Sequence, residues 1–98
     1  MINIQSIGFV ADVKLENFIE NKLGKIIKLN GDIAGAEVFL RVEKSDITEN
    51  KVVEINLDIK GANVFAKKQN KTFEEAADLA ADALRKQVVK HKEKLRAK

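Results

Sequence analysis

Val53-Glu54-Ile55-Asn56-Leu57-Asp58-Ile59-Lys60 places an apolar side chain at every second position without a break. Successive side chains of a strand point to opposite faces, so a period of two describes a strand buried on one side and wet on the other. Just beyond it, Lys60-Gly61-Ala62-Asn63 predicts a tight turn, and Val64-Phe65-Ala66-Lys67-Lys68 a shorter strand. Going the other way, Lys44-Ser45-Asp46-Ile47-Thr48-Glu49-Asn50 is a polar loop. Before it, Val38, Leu40 and Val42 alternate with Glu37, Phe39, Arg41 and Glu43, which predicts another strand. At the amino end, Ile2-Asn3-Ile4-Gln5-Ser6-Ile7 alternates in the same way and is closed by Gly8.

Two segments change period from 2 to 3.6. Asp12 stands where an N-cap would, ahead of Leu15, Ile19, Leu23 and Ile26, whose spacing puts all four on one face of a helix over about residues 13–29. Asn30-Gly31 is expected to end it, with glycine taking the left-handed conformation that commonly closes a helix. Thr72-Phe73-Glu74-Glu75 matches a capping box, in which the threonine hydroxyl takes up a free amide of the first turn and the glutamate reaches back. A long second helix follows, from about residue 73 to the last few residues. Its acids Glu74, Glu75, Asp78 and Asp82 come early and its bases late, an order that suits the helix dipole at both ends.

The order is therefore βαβββα. Because the strands alternate cleanly, the sheet has one apolar and one polar face, and both helices are expected on the apolar face. A right-handed crossover through the first helix makes the first two strands parallel if they are neighbours. The fold class is α/β: a two-layer sandwich with a four-stranded mixed sheet and two helices packed on one face. A ferredoxin-like fold would need a further strand after the second helix, and none follows.

Ninety-eight residues provide for one domain, 1–98, with one core. With 45% hydrophobic and 34% charged residues, the chain can fold and carries a heavily charged surface. No apolar run of about 18 residues exists, and the start has neither a basic n-region nor an uninterrupted apolar h-region, so a cytoplasmic protein is expected. With no cysteine and a single histidine, disulfides, thiol chemistry and an ordinary zinc site are excluded. No metal or other cofactor and no small-molecule substrate is expected.

The net charge of +3 is unevenly divided. Residues 85–98 carry seven basic side chains against one acidic, whereas residues 1–84 carry eleven against fourteen. A basic end on an otherwise acidic domain is an electrostatic footprint for a polyanion, with nucleic acid the first candidate. At roughly 100° per residue, Lys22, Lys25, Lys28 and Lys14 fall on one flank of the first helix's apolar stripe, while Glu16 and Glu20 fall on the other. Lys22 starts close to the stripe and is expected to snorkel outward. In the second helix Leu84, Val88, His91 and Leu95 form the stripe. Lys86, Lys90 and Lys94 lie to one side of it, and Arg85, Lys92 and Arg96 to the other. Two basic rows can meet phosphates spaced along an RNA backbone without reading a base. Any one lysine alone fits a solvated helix face, and the late bases also fit dipole compensation; the sorted set fits a polyanion.

His91 has no nucleophile or acid partner nearby in sequence, so packing or an RNA contact is expected of it. The acid pairs Glu74/Glu75 and Asp78/Asp82 are read as dipole compensation, and no general acid/base pair stands out, so no enzyme is expected. The outward sheet face has at most Phe39 and Phe65 as aromatics and no RNP1-like string, which argues against a base-stacking platform. RNA, if bound, is expected on the helices.

The βαβββα order and the stretch Lys86-Gln87-Val88-Val89-Lys90-His91-Lys92-Glu93-Lys94-Leu95 resemble the ribosome hibernation promoting factors of bacteria, and Lys22-Leu23-Gly24-Lys25-Ile26-Ile27-Lys28 resembles that family's basic first helix. The resemblance spans essentially the whole chain. It implies a stationary-phase, stress-response protein that binds the small ribosomal subunit and the 70S ribosome, in the channel used by mRNA and tRNA anticodons, and holds ribosomes inactive. Carried over by position, the rRNA-binding side chains are Lys22, Lys25, Lys28, Lys86, Lys90, Lys92 and Lys94, and Arg85 is counted with them. Thr72-Phe73-Glu74 stands where the family often has Asp-Met-Tyr, and Ala83 where a base is common, with Arg85 expected to offset the latter. Ending at Lys98, the chain resembles the family's short, tail-less members, expected to be monomeric when free. A different reading of the same charge is a general double-stranded RNA-binding or RNA-chaperone module.

Overall fold

The computed structural model describes residues 2–43 and 48–96, and the side chains of the last helix as far as His91. The elements are β1 (Ile2–Ile7), α1 (Val13–Ile27), β2 (Ile33–Val42), β3 (Lys51–Ile59), β4 (Ala62–Asn70) and α2 (Phe73–Arg96). They form a four-stranded sheet in the order β1-β2-β3-β4. β1 and β2 are parallel, and β2, β3 and β4 run antiparallel in turn, as the alternation and the crossover require.

Val53, Ile55, Leu57 and Ile59 of β3 are all buried. They pack beside Val38 and Leu40 of β2 and Val64 and Ala66 of β4, against Leu15, Ile19, Leu23 and Ile26 of α1 and Ala76, Ala77, Ala80, Ala81, Leu84 and Val88 of α2. Both helices thus cover one sheet face and share one core. The α2 stripe continues toward its amino end as alanines, and these small side chains let α2 lie close to the sheet and to α1. The outer face mixes polar side chains with Ile7, Phe39 and Phe65, and its Val52, which sits between Arg41 and Gln69 in the ladder, is fully buried. Beside it, Gln69 Nε2 donates to Glu49 O over 2.6 Å.

Several boundaries differ from the sequence expectations. β2 begins at Ile33, five residues before its alternation becomes visible, because a bulge interrupts it: Ile33 opposes Ile59 and Gly35 opposes Asp58, leaving Ala34 as the extra residue. The bulge shifts the inward parity, so Ile33 and Ala36 are both buried. α1 ends at Ile27 with Lys28 as its right-handed C-cap, two residues earlier than expected. Gly31 is not left-handed; only Gly8 and Gly61 among the described residues have positive φ. Asn30 instead accepts the Asp32 amide on its side-chain oxygen over 2.9 Å, an Asx turn that leads into β2. β3 starts at Lys51 and β4 runs on to Asn70, so the β3–β4 turn is only Lys60-Gly61, with Gly61 at φ +82°. Of the expected loop between β2 and β3, residues 44–47 lie outside the described residues.

The helix starts behave as their sequences specify. Asp12 accepts the Leu15 amide over 2.8 Å. Thr72 Oγ1 accepts the Glu75 amide over 3.1 Å and donates to Glu75 Oε1 over 3.3 Å, so the glutamate closes the box on the hydroxyl rather than on the threonine amide. Phe9, just after β1, stacks on Phe73 at a centroid distance of 4.9 Å, which joins the amino-terminal ends of the two helices.

Candidate nucleic-acid interface

The crossover sends α1 back against β1, and α2 returns against β4, which is parallel to β1 and β2. The two helices therefore run side by side in the same direction. Side-chain contacts advance in step along both: Lys22 meets Asp78, and one turn on, Lys25 and Ile26 line a groove with Ala81, Asp82 and Arg85. The paired helices thus point their carboxyl ends, where their bases are concentrated, toward the same end of the molecule. α2 has 24 residues against 15 in α1. From the level of Lys22 and Asp78, α1 continues to Ile27 and α2 to Arg96, so α2 overhangs α1 by roughly 20 Å at 1.5 Å per residue.

The cations expected to bind RNA divide into three positions. Lys22, Lys25 and Arg85 line the groove between the helices. Lys86 lies on the outward crest of α2, opposite the buried stripe, and Lys28 at the α1 C-cap; both are exposed. Lys90 is on the β4 flank, where it shares a shallow depression with Val64, Gln87 and His91. The side chains of Lys92 and Lys94 lie outside the described residues. Arg85 does not stand in for a base at Ala83. Two positions on a helix differ by about 200°, so Arg85 faces α1 while Ala83 packs at the opposite edge of the core.

Three of these cations have acidic partners. Lys22 Nζ is 2.7 Å from Asp78 Oδ1 and 5.5 Å from the centre of the Phe18 ring, so the side chain leaves the core edge and lies across the groove, 37% exposed. Asp82 takes Arg85 at 3.3 Å and Lys86 at 3.2 Å. The hydrogen bond from Lys86, then that from Arg85, holds the Asp82 carboxyl below its ordinary range. Among the described residues, Lys25, Lys28 and Lys90 have no acidic partner within 4 Å. His91 is half-buried, and its Nε2 is enclosed with no hydrogen-bond partner among the described residues.

Sequence reasoning missed the pairing of Asp78 with Lys22. The spacing that would reveal it runs between two helices, and it becomes readable only once they are known to be parallel and adjacent. It also missed Gln87, whose Nε2 donates to the backbone oxygen of Phe65 over 3.2 Å and ties α2 to β4. On the opposite side of the molecule the outer sheet face carries Arg41 bonded to Glu54 and to Glu43, the latter at 3.1 Å. The two carboxylates, Glu54 first, raise the Arg41 guanidinium above its ordinary value. Glu37 and Asp58 line a hollow nearby with Asn56 and Asn63. That face therefore presents carboxylates to solvent, whereas the helix layer gathers Lys22, Lys25, Lys28, Arg85, Lys86 and Lys90.

A family model described as sigma 54 modulation protein / S30EA ribosomal protein matches residues 2–96. Among solved structures, a ribosomal subunit interface protein from Coxiella burnetii superposes with a TM-score of 0.82 at 22% identity, over 93% of this chain and 96% of that one. The N-terminal domain of Protein Y from Thermus thermophilus superposes with a TM-score of 0.74, also at 22% identity, over 89% and 91%. At that identity the two likenesses establish a shared fold. No curated protein matches the sequence.

Proposed function

Since the chain belongs to the sigma 54 modulation protein / S30EA ribosomal protein family, we propose that it is a ribosome-associated hibernation factor of the cytoplasm. It binds the small subunit through rRNA phosphates and inhibits translation by filling the mRNA/tRNA decoding channel. The observation that carries this reading is the parallel packing of α1 and α2, which brings Lys22, Lys25, Lys28, Arg85, Lys86 and Lys90 to one side and one end of the domain. A set of cations on a rigid two-helix layer can neutralise several phosphates of folded RNA at once without base recognition. Lys92 and Lys94 continue the same rows in sequence. The acidic outer sheet face would then point away from the RNA.

A domain acting this way works by occupancy, as a monomer, and needs no nucleotide: the sequence has no GxxxxGK loop to hold one. Inhibition is then competitive. Sedimentation of a lysate on a sucrose gradient tests the placement: the protein is expected with small subunits and 70S particles, and protein remaining at the top would overturn it. In a purified translation system, pre-bound tRNA should slow its association and excess mRNA with initiator tRNA should restore activity. Equal binding to any RNA duplex and to small subunits would favour the general double-stranded RNA module instead.

A further inference from the structure

Asp78 and Asp82 need an explanation that the helix dipole does not supply. The dipole's field fades within the first turn. Glu74 and Glu75 lie in that turn of α2, but Asp78 and Asp82 lie in the second and third. Stability is a weak reason too, because exposed ion pairs contribute little, and both carboxylates are more than half exposed, at 61% and 51%. Yet they are set among the bases. Asp78 crosses the groove to Lys22, and Asp82 holds both Arg85 and Lys86, so two carboxylates engage three of the six described cations of the candidate interface.

We propose that Asp78 and Asp82 are specificity-determining residues that stand in for phosphate in the free protein, so that only a phosphate array dense enough to replace both carboxylates at once engages the groove. This rests on the reading of the helix layer as an RNA-binding surface. A polyanion approaching the groove must win Lys22, Arg85 and Lys86 from acids that stay close by and repel it. An isolated duplex brings one or two phosphates to the groove, and there the repulsion of two carboxylates offsets most of what the cations contribute. A folded RNA wall that also reaches Lys25, Lys28 and Lys90, which have no acidic partner among the described residues, gains enough to offset the loss. The acids thus suppress indiscriminate RNA binding while leaving the intended target reachable.

The test compares the full chain with its Asp78→Asn/Asp82→Asn variant on two probes, purified small ribosomal subunits and an unrelated RNA duplex of about 16 base pairs, a length that spans successive minor grooves. Asparagine keeps the shape and removes the charge, and a thermal melt by circular dichroism confirms folding. Duplex affinity is expected to rise about tenfold or more at 0.1 M salt, with the slope of log affinity against log salt steepening by about 2 as the freed cations contribute. Subunit affinity should rise less, so that the ratio of subunit to duplex affinity falls. Asp78→Glu/Asp82→Glu should restore values near the parent's. Unchanged or weaker duplex binding by the asparagine variant would show that the acids position the cations instead, and would overturn the inference. A variant that gains duplex affinity in a protein whose parent ignores small subunits would support the inference and sink the ribosomal reading alone.

Discussion

Replacing Lys25, Lys28 and Lys90 together by glutamine removes the described interface cations that have no acidic partner in the folded chain. These are the side chains free to meet phosphate without first breaking an ion pair. Each phosphate neutralised adds roughly 0.7–0.9 to the slope of log affinity against log salt, so the triple variant should lose about 2–3 from the parent's slope. If the two lines converge near 1 M salt, the loss at 0.15 M is roughly 45- to 300-fold in affinity. Folding should be nearly untouched, because all three positions are exposed and surface changes shift stability by only about 0.5 kcal/mol each. The assay is titration of labelled protein with small ribosomal subunits at several potassium chloride concentrations between about 0.05 and 0.3 M, the range in which counterion release is steep. Lys67→Gln, on the outer sheet face beside Glu54, serves as the control and should change neither slope nor affinity. A triple variant with the parent's slope, or a control that falls equally, would mean that the helix layer is not where phosphate binds.

Other outcomes concern the scaffold. Leu84→Ala opens a hole at a fully buried position between α2 and the sheet and should cost about 2–5 kcal/mol in urea unfolding, a large part of the stability of a domain this size. Thr72→Ala removes the cap of α2 and should cost about 1 kcal/mol, lowering the melting temperature by roughly 4–8 °C. Gly61→Val forces a β-branched side chain to φ +82° in the β3–β4 turn and should destabilise by about 1–3 kcal/mol, readable in the same melts. Asp82 has a folded pKa lowered by Lys86 and Arg85, so its pairing stabilises the fold above the unfolded value of 3.8 and that contribution is lost as pH falls through the lower folded value. The stability difference between parent and Asp82→Asn should therefore be flat from pH 7 to about 5 and shrink only in stronger acid, and a difference that changes near neutrality would assign the titration to another group.

Sequence alone disclosed the elements whose periodicity is uninterrupted. β3 was legible residue by residue because each inward position from Val53 to Ile59 is large and apolar. α1 was legible because Asp12 and the Leu15-to-Ile26 stripe agree. Where a small residue replaces a large one, the pattern weakens: Ala34-Gly35-Ala36 has no alternation to read, and the bulge there changes the inward parity. For the same reason the first half of the α2 stripe, built from Ala76, Ala77, Ala80 and Ala81, gives less contrast than Leu84 and Val88. The sorting of the lysines onto helix flanks was also visible. What stayed hidden was their electrostatic state. Asp78 and Asp82 read as compensation along one helix, and only the parallel packing of α1 on α2 shows that Asp78 is the partner of Lys22, far from it in the chain.

The hydrogen bond from Gln87 to the Phe65 oxygen matters beyond holding α2 to the sheet. β4 is an edge strand, and an edge offers backbone groups on which a neighbouring molecule can lay a strand of its own. Here a side chain from the helix layer already occupies one such carbonyl, while Lys67 and Lys68 put charge along the same edge. A second copy adding itself to β4 would have to displace Gln87 and bring those lysines against its own. At β4, then, a glutamine of the helix layer and two lysines of the strand itself both work against the addition of a further strand.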